Sequence, residues 1–207
     1  MQTRVRTGIR ILKELSKSLI FFALFVVIVP VLIGMVAGVP VAKVLSYIAS
    51  TFVLQAAAPP LGGPLGIPRI VILAIMASFA VGIILTILEL CESLALTSGR
   101  VSRWIENVGN KMEKYPVTKK YGAISCIMIA WIPGIGLYGT PIIAWILGWN
   151  RYLTVLFTTA GFVIAAAFVM FVVNSIHNVQ DVLILAFVAA AVVVTIVLLG
   201  KFRQRRA

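Results

Sequence analysis

A proline- and glycine-rich break interrupts a hydrophobic stretch at residues 121–148. Each arm beside the break is apolar, but neither has the roughly 20 residues that a helix needs to cross a bilayer. Backbone groups released at membrane depth are tolerated only where protein buries them or where they line a cavity. The pattern predicts a re-entrant hairpin, entered and left on the cytoplasmic side, and broken helices of this kind build transporter sites. The alternative is a straight span that continues through the break.

Composition supports a membrane setting for this stretch. The 207 residues are 61% hydrophobic and 12% charged, which predicts an integral membrane protein with one membrane domain. The cysteines Cys91 and Cys126 form no metal-binding or redox pair, and His177 is the only histidine. No nucleophile, metalloprotease or phosphate-loop motif is present. We therefore expect no enzyme activity, no catalytic residues, no cofactor and no metal site.

The net charge of +12 is concentrated in three clusters: before residue 18, within 100–120, and after residue 200. Basic clusters beside apolar segments mark the cytoplasmic side of a membrane and contact anionic lipid head groups. We expect a multi-pass protein with both termini cytoplasmic and with membrane lipids as its partners. Nucleic acid is not expected as a partner, and a homo-oligomer is compatible with the sequence.

The apolar segments divide the chain into a basic interfacial helix at 1–18, a transmembrane domain at 19–200 and a basic tail at 201–207. Four full spans are predicted at about 19–38, 69–90, 152–173 and 181–200. Residues 98–115 have the pattern of an amphipathic helix on the cytoplasmic surface. Small residues that favour close helix packing recur in the first three spans: Gly34 and Gly38; Ala74, Ser78 and Gly82; Thr158, Thr159, Gly161 and Ala165.

Residues 41–68 have two interpretations. The segment is apolar as far as Ala58, then becomes rich in proline and glycine and cannot continue as a helix. It is either a third full span with an exposed loop or a first re-entrant segment. A full span would place the central basic cluster outside the cell, so charge favours re-entry from the outer face. The two re-entrant segments then resemble an inverted repeat.

The second break carries groups suited to an anion. Thr140 is predicted to cap a helix whose first turn contains Pro141, with free backbone N–H groups facing the break. Tyr138 adds a hydroxyl donor, and glycine allows a ligand close to the backbone. The alternative is a purely structural turn. The predicted substrate-binding residues are Pro133, Gly134, Gly136, Tyr138, Gly139 and Thr140, with Gln55, Pro59 and Pro60 from the first segment.

Glu89 and Glu92 lie one helical turn apart near the end of the second span. One interpretation is a pair of interfacial carboxylates neutralised by a nearby arginine or lysine. The other is a proton or cation site that borders the cavity, because ionisable groups within spans are costly and often functional.

The KKYG sequence at 119–122 and the PGIGLYGTP sequence at 133–141 resemble the signature of the small multidrug export membrane family. Residues 55–68 and the basic helix at 98–115 resemble it too, and the likeness covers about residues 50–172. That family is distantly similar to the DedA/VTT superfamily. The resemblance implies a prokaryotic cell-membrane protein with two opposed re-entrant hairpins that moves lipids, such as polyprenyl phosphates. Gln55 and Ala57 replace an acidic and a basic residue of the family, and the second break lacks the superfamily's arginines.

These observations together predict an all-α polytopic membrane protein with about four spans, two opposed re-entrant hairpins and surface amphipathic helices. The leading functional hypothesis is transport of a lipid or an anionic amphiphile. The alternatives are proton-coupled efflux of small molecules or drugs, and a membrane scaffold without transport activity.

Overall fold

The computed structural model describes residues 15–97, 126–127, 129–132 and 136–175. This part of the chain is helical and contains no strand. Among these described residues, three helices are long and apolar enough to cross a membrane, at Leu15–Val36, Arg69–Ala95 and Arg151–Val173. In chain order, the helices are α1 Leu15–Val36, α2 Val41–Leu54, α3 Pro59–Gly62, α4 Arg69–Thr97, α5 Gly136–Ile146 and α6 Arg151–Ser175.

Helix α1 contains a π-helical stretch, Phe22–Ile28, immediately before Pro30. Proline lacks the N–H that would close the preceding turn, and a locally wider helix is one way to accommodate that loss. The helix ends at a turn in which Gly38 has a φ of +72° and the Val39 N–H donates to the Gly34 carbonyl at 2.8 Å. This reversal brings the chain to α2 within a few residues.

Helices α1 and α4 pack antiparallel along their lengths. The Ser78 hydroxyl donates to the Phe25 carbonyl at 2.7 Å, and the Ser18 hydroxyl donates to the Thr86 carbonyl at 3.2 Å. A Cβ on Gly82 would lie 2.7 Å from Val26 Cγ2, which is closer than carbon atoms approach. The predicted small-residue pattern in the second span therefore corresponds to the α1–α4 interface.

Residues 41–68 leave the end of α1 and return to the same end of the α1–α4 pair. The Lys43 ammonium lies beside Gly66, and the Tyr47 ring lies beside Gly62, so the returning chain runs antiparallel to α2. The helical part, Val41–Ala57, is shorter than the three candidate spans. Near its far end, the Phe52 ring packs between Phe22 and Phe79, with ring centroids 6.0 and 4.8 Å apart.

The stretch around the second break is not a continuous helix. Helical residues at 126, 127 and 129 are followed by a turn at Ala130 and Trp131, and α5 begins at Gly136. The Gly136 N–H donates to the Ile132 carbonyl at 2.7 Å, which connects the two parts. Residues 133–135 lie outside the described ranges. An unbroken helix through 121–148 is excluded by the turn at Ala130.

Helix α6 packs against the first arm of this segment. A Cβ on Gly161 would lie 2.6 Å from the Ile127 carbonyl oxygen, and the Trp131 and Phe168 rings are 5.5 Å apart. Thr158 and Ala165 are buried on the same side of α6, in agreement with the predicted small-residue face.

The chain divides into two compact units, residues 1–169 and 170–207. The helix contacts described above lie within the first unit, and the described part of the second is the end of α6, residues 170–175. Several predicted elements lie outside the described residues: most of the interfacial helix at 1–18, the amphipathic helix at 98–115, the fourth span at 181–200 and the tail at 201–207. Residues 15–18 belong to α1, which is itself the first candidate span.

Candidate functional site

A cavity of about 850 Å³ lies between α1, α4 and α6. Its volume is within the range of about 300–1,000 Å³ typical of small-molecule sites. Charged side chains lie at one end, and aliphatic side chains form most of the remaining wall. The lining residues are Lys17 and Phe21 of α1; Val81, Leu85 and Glu89 of α4; and Arg151, Tyr152, Val155, Leu156, Thr159, Ala160 and Val163 of α6.

The charged end is organised by ion pairs between α4 and α6. Arg151 Nη2 contacts Glu89 Oε1, and Arg151 Nη1 lies 3.5 Å from Glu92 Oε1. The Glu89 side chain is 3% exposed, whereas the Glu92 side chain is 44% exposed. Both carboxylates therefore pair with an arginine, as one of the two interpretations of the sequence predicted, and Glu89 also lines this cavity.

A compact junction between α5 and α6 places Arg151 at this end. Gly148 has a φ of +65°, and the following Trp149 N–H donates to the Ala144 carbonyl at 2.9 Å, which terminates α5. The Asn150 side chain then accepts hydrogen bonds from the Tyr152 and Leu153 N–H groups, at 2.9 and 3.2 Å, and so caps α6. Arg151 is thereby held at the first residue of α6.

The predicted residues of the second break lie in a different environment. The Tyr138 hydroxyl donates to the Phe52 carbonyl at 2.8 Å, so it bonds to α2. Gly136 is pressed against the first arm, because a Cβ there would lie 2.3 Å from the Ala130 carbonyl oxygen. This glycine serves a close backbone contact, so its substitution would disturb packing rather than test the approach of a ligand. Pro133 and Gly134 lie outside the described residues.

The predicted N-cap at Thr140 is wrong. Helix α5 begins at Gly136, and Pro141 lies inside it. The Thr140 hydroxyl is buried and donates to the Gly136 carbonyl one turn earlier, so it bonds within the helix. The N–H of Gly136, the first described residue of α5, donates to the Ile132 carbonyl four residues earlier.

The predicted residues of the first segment lie at the turn that follows α2. Gln55 and Pro59 are buried, and Pro60 is half-buried. Gln55 has a φ of +51°, a conformation that residues with a side chain rarely adopt, and it reverses the chain at the end of α2. Through the Tyr138–Phe52 hydrogen bond, the end of α2 contacts the start of α5.

Arg151 and Lys17 line the cavity but were not among the predicted site residues; Lys17 falls within the predicted interfacial helix at 1–18. The available signal was the pair Glu89 and Glu92 on one helical face, which requires a cation from another segment. Among the described residues, those that line the cavity include none from 136–140.

Comparisons of this chain with family models, with curated proteins and with solved structures found no match.

Proposed function

We propose that this protein is a membrane transporter that moves a lipid or another anionic amphiphile across a prokaryotic cell membrane, in the manner of the DedA-like proteins that its sequence resembles. The observation that carries the proposal is the cavity between three candidate spans, with Arg151 at one end and aliphatic side chains beyond it. An amphiphile needs both parts, because its head group requires charged or polar partners and its chain requires an apolar wall.

The two broken segments support transport rather than a passive scaffold. From Val41 to Phe52, α2 advances about 16 Å at 1.5 Å per residue, roughly half of a hydrocarbon core about 30 Å thick. There it contacts the middle of α1 and α4 and accepts the Tyr138 hydrogen bond. We propose that 41–68 and 121–148 are re-entrant hairpins that enter from opposite faces and meet near the midplane, with both termini cytoplasmic.

A second candidate function is proton-coupled efflux of a small molecule. The specific observation in its favour is Glu89, a carboxylate that is almost fully buried within a candidate span and that also lines the cavity. Ionisable groups in such positions frequently carry protons in transporters. Glu92 is half-exposed and is the weaker candidate for this role.

Blocking the cavity tests the leading proposal. Val163 lines the apolar part of the cavity, so Val163→Trp would fill the path of an acyl chain. Ile164 is the next residue on α6, is half-exposed and does not line the cavity, so Ile164→Trp is the matched control. In vesicles with a fluorescent phospholipid, we expect wild type and Ile164→Trp to move the lipid between leaflets and Val163→Trp to lose most of that activity.

Two results would contradict the proposal. If the lipid moved between leaflets equally fast in wild-type and protein-free vesicles, the proposal of lipid transport would be wrong. Equal rates for wild type and Val163→Trp, both above protein-free vesicles, would place the path outside this cavity. Proton-coupled efflux predicts instead that a pH gradient drives uptake of a cationic dye, and that Glu89→Gln abolishes the uptake while Glu92→Gln preserves it.

A further inference from the structure

The charged end of the cavity is built from one residue on each of three helices. Arg151 of α6 contacts Glu89 of α4, and both line the cavity. Lys17 of α1 lines it too, and its neighbour Ser18 donates a hydrogen bond to the Thr86 carbonyl at 3.2 Å. Because Glu89 lies one helical turn beyond Thr86, this bond places Lys17 at the level of Glu89. The three charged side chains therefore act on the same part of the cavity.

These three side chains give the cavity wall a net charge of +1, from two cations and one carboxylate. The sum is the same whichever nitrogen or oxygen atom makes each contact. Glu92 is a fourth charged residue nearby, 3.5 Å from Arg151 Nη1, but its side chain is 44% exposed and does not line the cavity, so water and salt screen its charge. Tyr152, which also lines the cavity, adds a neutral hydroxyl group.

A wall with a single net positive charge distinguishes ligands by their own charge. The cost of moving an ion out of water grows with the square of its charge, whereas its attraction to a fixed charge grows only in proportion to its charge. A net charge of +1 can therefore offset the desolvation of a monoanion. A dianion has a fourfold desolvation cost but gains only a twofold attraction, so it should bind less well.

We propose that this cavity selects amphiphiles whose head group carries a single negative charge, such as a phosphodiester or a singly protonated phosphate monoester, over a doubly charged phosphate. The inference rests on the proposed function, because it assumes an anionic amphiphile in this cavity. It assigns Glu89 the role of setting the charge of the site, since its carboxylate cancels one of the two cations. A wall without this carboxylate would carry a net charge of +2 and would accept a dianion.

The test uses the purified full chain in nanodiscs of zwitterionic lipid, with empty nanodiscs as the reference for partition into the bilayer. The probes are a pyrene-labelled dodecyl phosphate and its methyl ester. The phosphate has a second pKa of about 6, so it is mostly a monoanion at about pH 5 and a dianion at about pH 8. The ester is a monoanion at both pH values and reports any titration of the protein.

We expect wild type to bind the phosphate about tenfold more weakly at the higher pH and to bind the ester equally at both. A tenfold change corresponds to one uncompensated unit charge about 10 Å away at an effective dielectric constant of about 20. In ³¹P NMR spectra, the bound phosphate should keep its second proton to a higher pH than the same probe in empty nanodiscs.

Two variants test the role of Glu89. Glu89→Gln should reduce the tenfold difference between the two pH values to less than about threefold while the ester still binds. Glu92→Gln is the matched control, because it removes the same charge from the same helix but from a side chain that does not line the cavity. It should keep the difference seen in wild type. If Glu89→Gln does not fold, the affinities and ³¹P spectra of wild type decide the question.

The outcomes separate the inference from the proposed function. If wild type binds the phosphate equally or more tightly at the higher pH, selection by charge is wrong and the head-group site stands. If the ester weakens as much as the phosphate, titration of the protein explains the effect and the inference is wrong. If Glu92→Gln acts as strongly as Glu89→Gln, the wall does not set the selection, and the inference is again wrong. If neither probe binds above the level of empty nanodiscs, the inference and the anionic head-group site fall together.

Discussion

Helix α4 packs against α1 on one side and faces α6 on another, and the two interfaces differ in kind. Toward α1, small residues bring the backbones together: Gly82 lies against Val26, and the Ser78 hydroxyl reaches a carbonyl of α1. Toward α6, the helices leave a cavity of about 850 Å³, and an ion pair connects them at one end. Close packing stabilises the first interface, whereas an ion pair at one end of a cavity connects the helices of the second.

This difference indicates which parts of the protein can move. A closely packed helix pair has no free space to redistribute, so relative movement of α1 and α4 would cost many contacts at once. In an ion pair beside a cavity, water or a ligand can take the place of one of the two charged side chains. We therefore expect the α1–α4 pair to act as a fixed frame and the α4–α6 side to carry the conformational change.

The largest effect is expected from Arg151→Met, which breaks the charged contact on the α6 side. Glu89 would keep a buried carboxylate without this cation, and we expect a loss of about 3 kcal/mol in unfolding free energy. Adding Glu89→Gln should recover part of the loss, and denaturation of the four proteins of this cycle in detergent gives the coupling energy. A loss in the double variant equal to the sum of the two single losses would mean that the pair contributes little.

The next largest effect is expected from Gly82→Ala, which tests the packed side. The added methyl group would overlap Val26 and Phe25, and overpacking of this kind costs about 1–3 kcal/mol. Gly63→Ala is the matched control, because Gly63 has a φ of −59° and its Cβ would lie 3.7 Å from the nearest atom. Thermal unfolding in detergent should separate the two variants. Equal stability would show that the α1–α4 interface tolerates an added methyl group, and the contrast between the α1–α4 and α4–α6 interfaces would not hold.

A smaller effect on the same side is expected from Ser78→Ala. It removes the hydrogen bond to the Phe25 carbonyl but keeps a small residue at the contact. Hydrogen bonds between membrane helices average about 0.6 kcal/mol, and we expect a loss of that size. A loss as large as that of Gly82→Ala would mean that the hydroxyl, rather than close packing, holds α1 to α4.

The smallest effect on stability is expected from Glu92→Gln. Its pair with Arg151 is half-exposed and long, so we expect a change below about 0.5 kcal/mol in unfolding free energy. The same detergent denaturation measures it. A large loss would show that Glu92 is a structural partner of Arg151.

Patterns within one helix were predictable from the sequence. The spacing of Ala74, Ser78 and Gly82 predicted a close helix contact, because a helix places such residues on one face without knowledge of the partner. The lengths of the apolar segments likewise predicted three helices that the structure describes. An interruption of the helix was predictable from the prolines and glycines at 133–141, but its position was not. The turn lies at Ala130 and Trp131, and the chain is helical from Gly136 through Pro141.

Features formed by distant segments were not predictable. The cavity needs Lys17, Glu89 and Arg151 from three helices, and nothing in the sequence specifies how those helices are rotated. The start of α5 was misplaced for a related reason. Local preference favoured Thr140 as a cap, but Thr140 lies inside a helix that already includes Gly136, which contacts Ala130 and bonds to Ile132.

The short junction at 147–150 has a mechanical consequence. It is closed at both ends by hydrogen bonds, from Trp149 back to α5 and from α6 to the Asn150 side chain. A displacement of α5 along its axis is either absorbed within these few residues or transmitted to Arg151. Tyr138, near the start of α5, bonds to the end of α2, so a rearrangement at that hydrogen bond would be transmitted along α5 and through the junction to Arg151, the first residue of α6. Helix α5 therefore links the end of α2 mechanically to the arginine that faces the cavity.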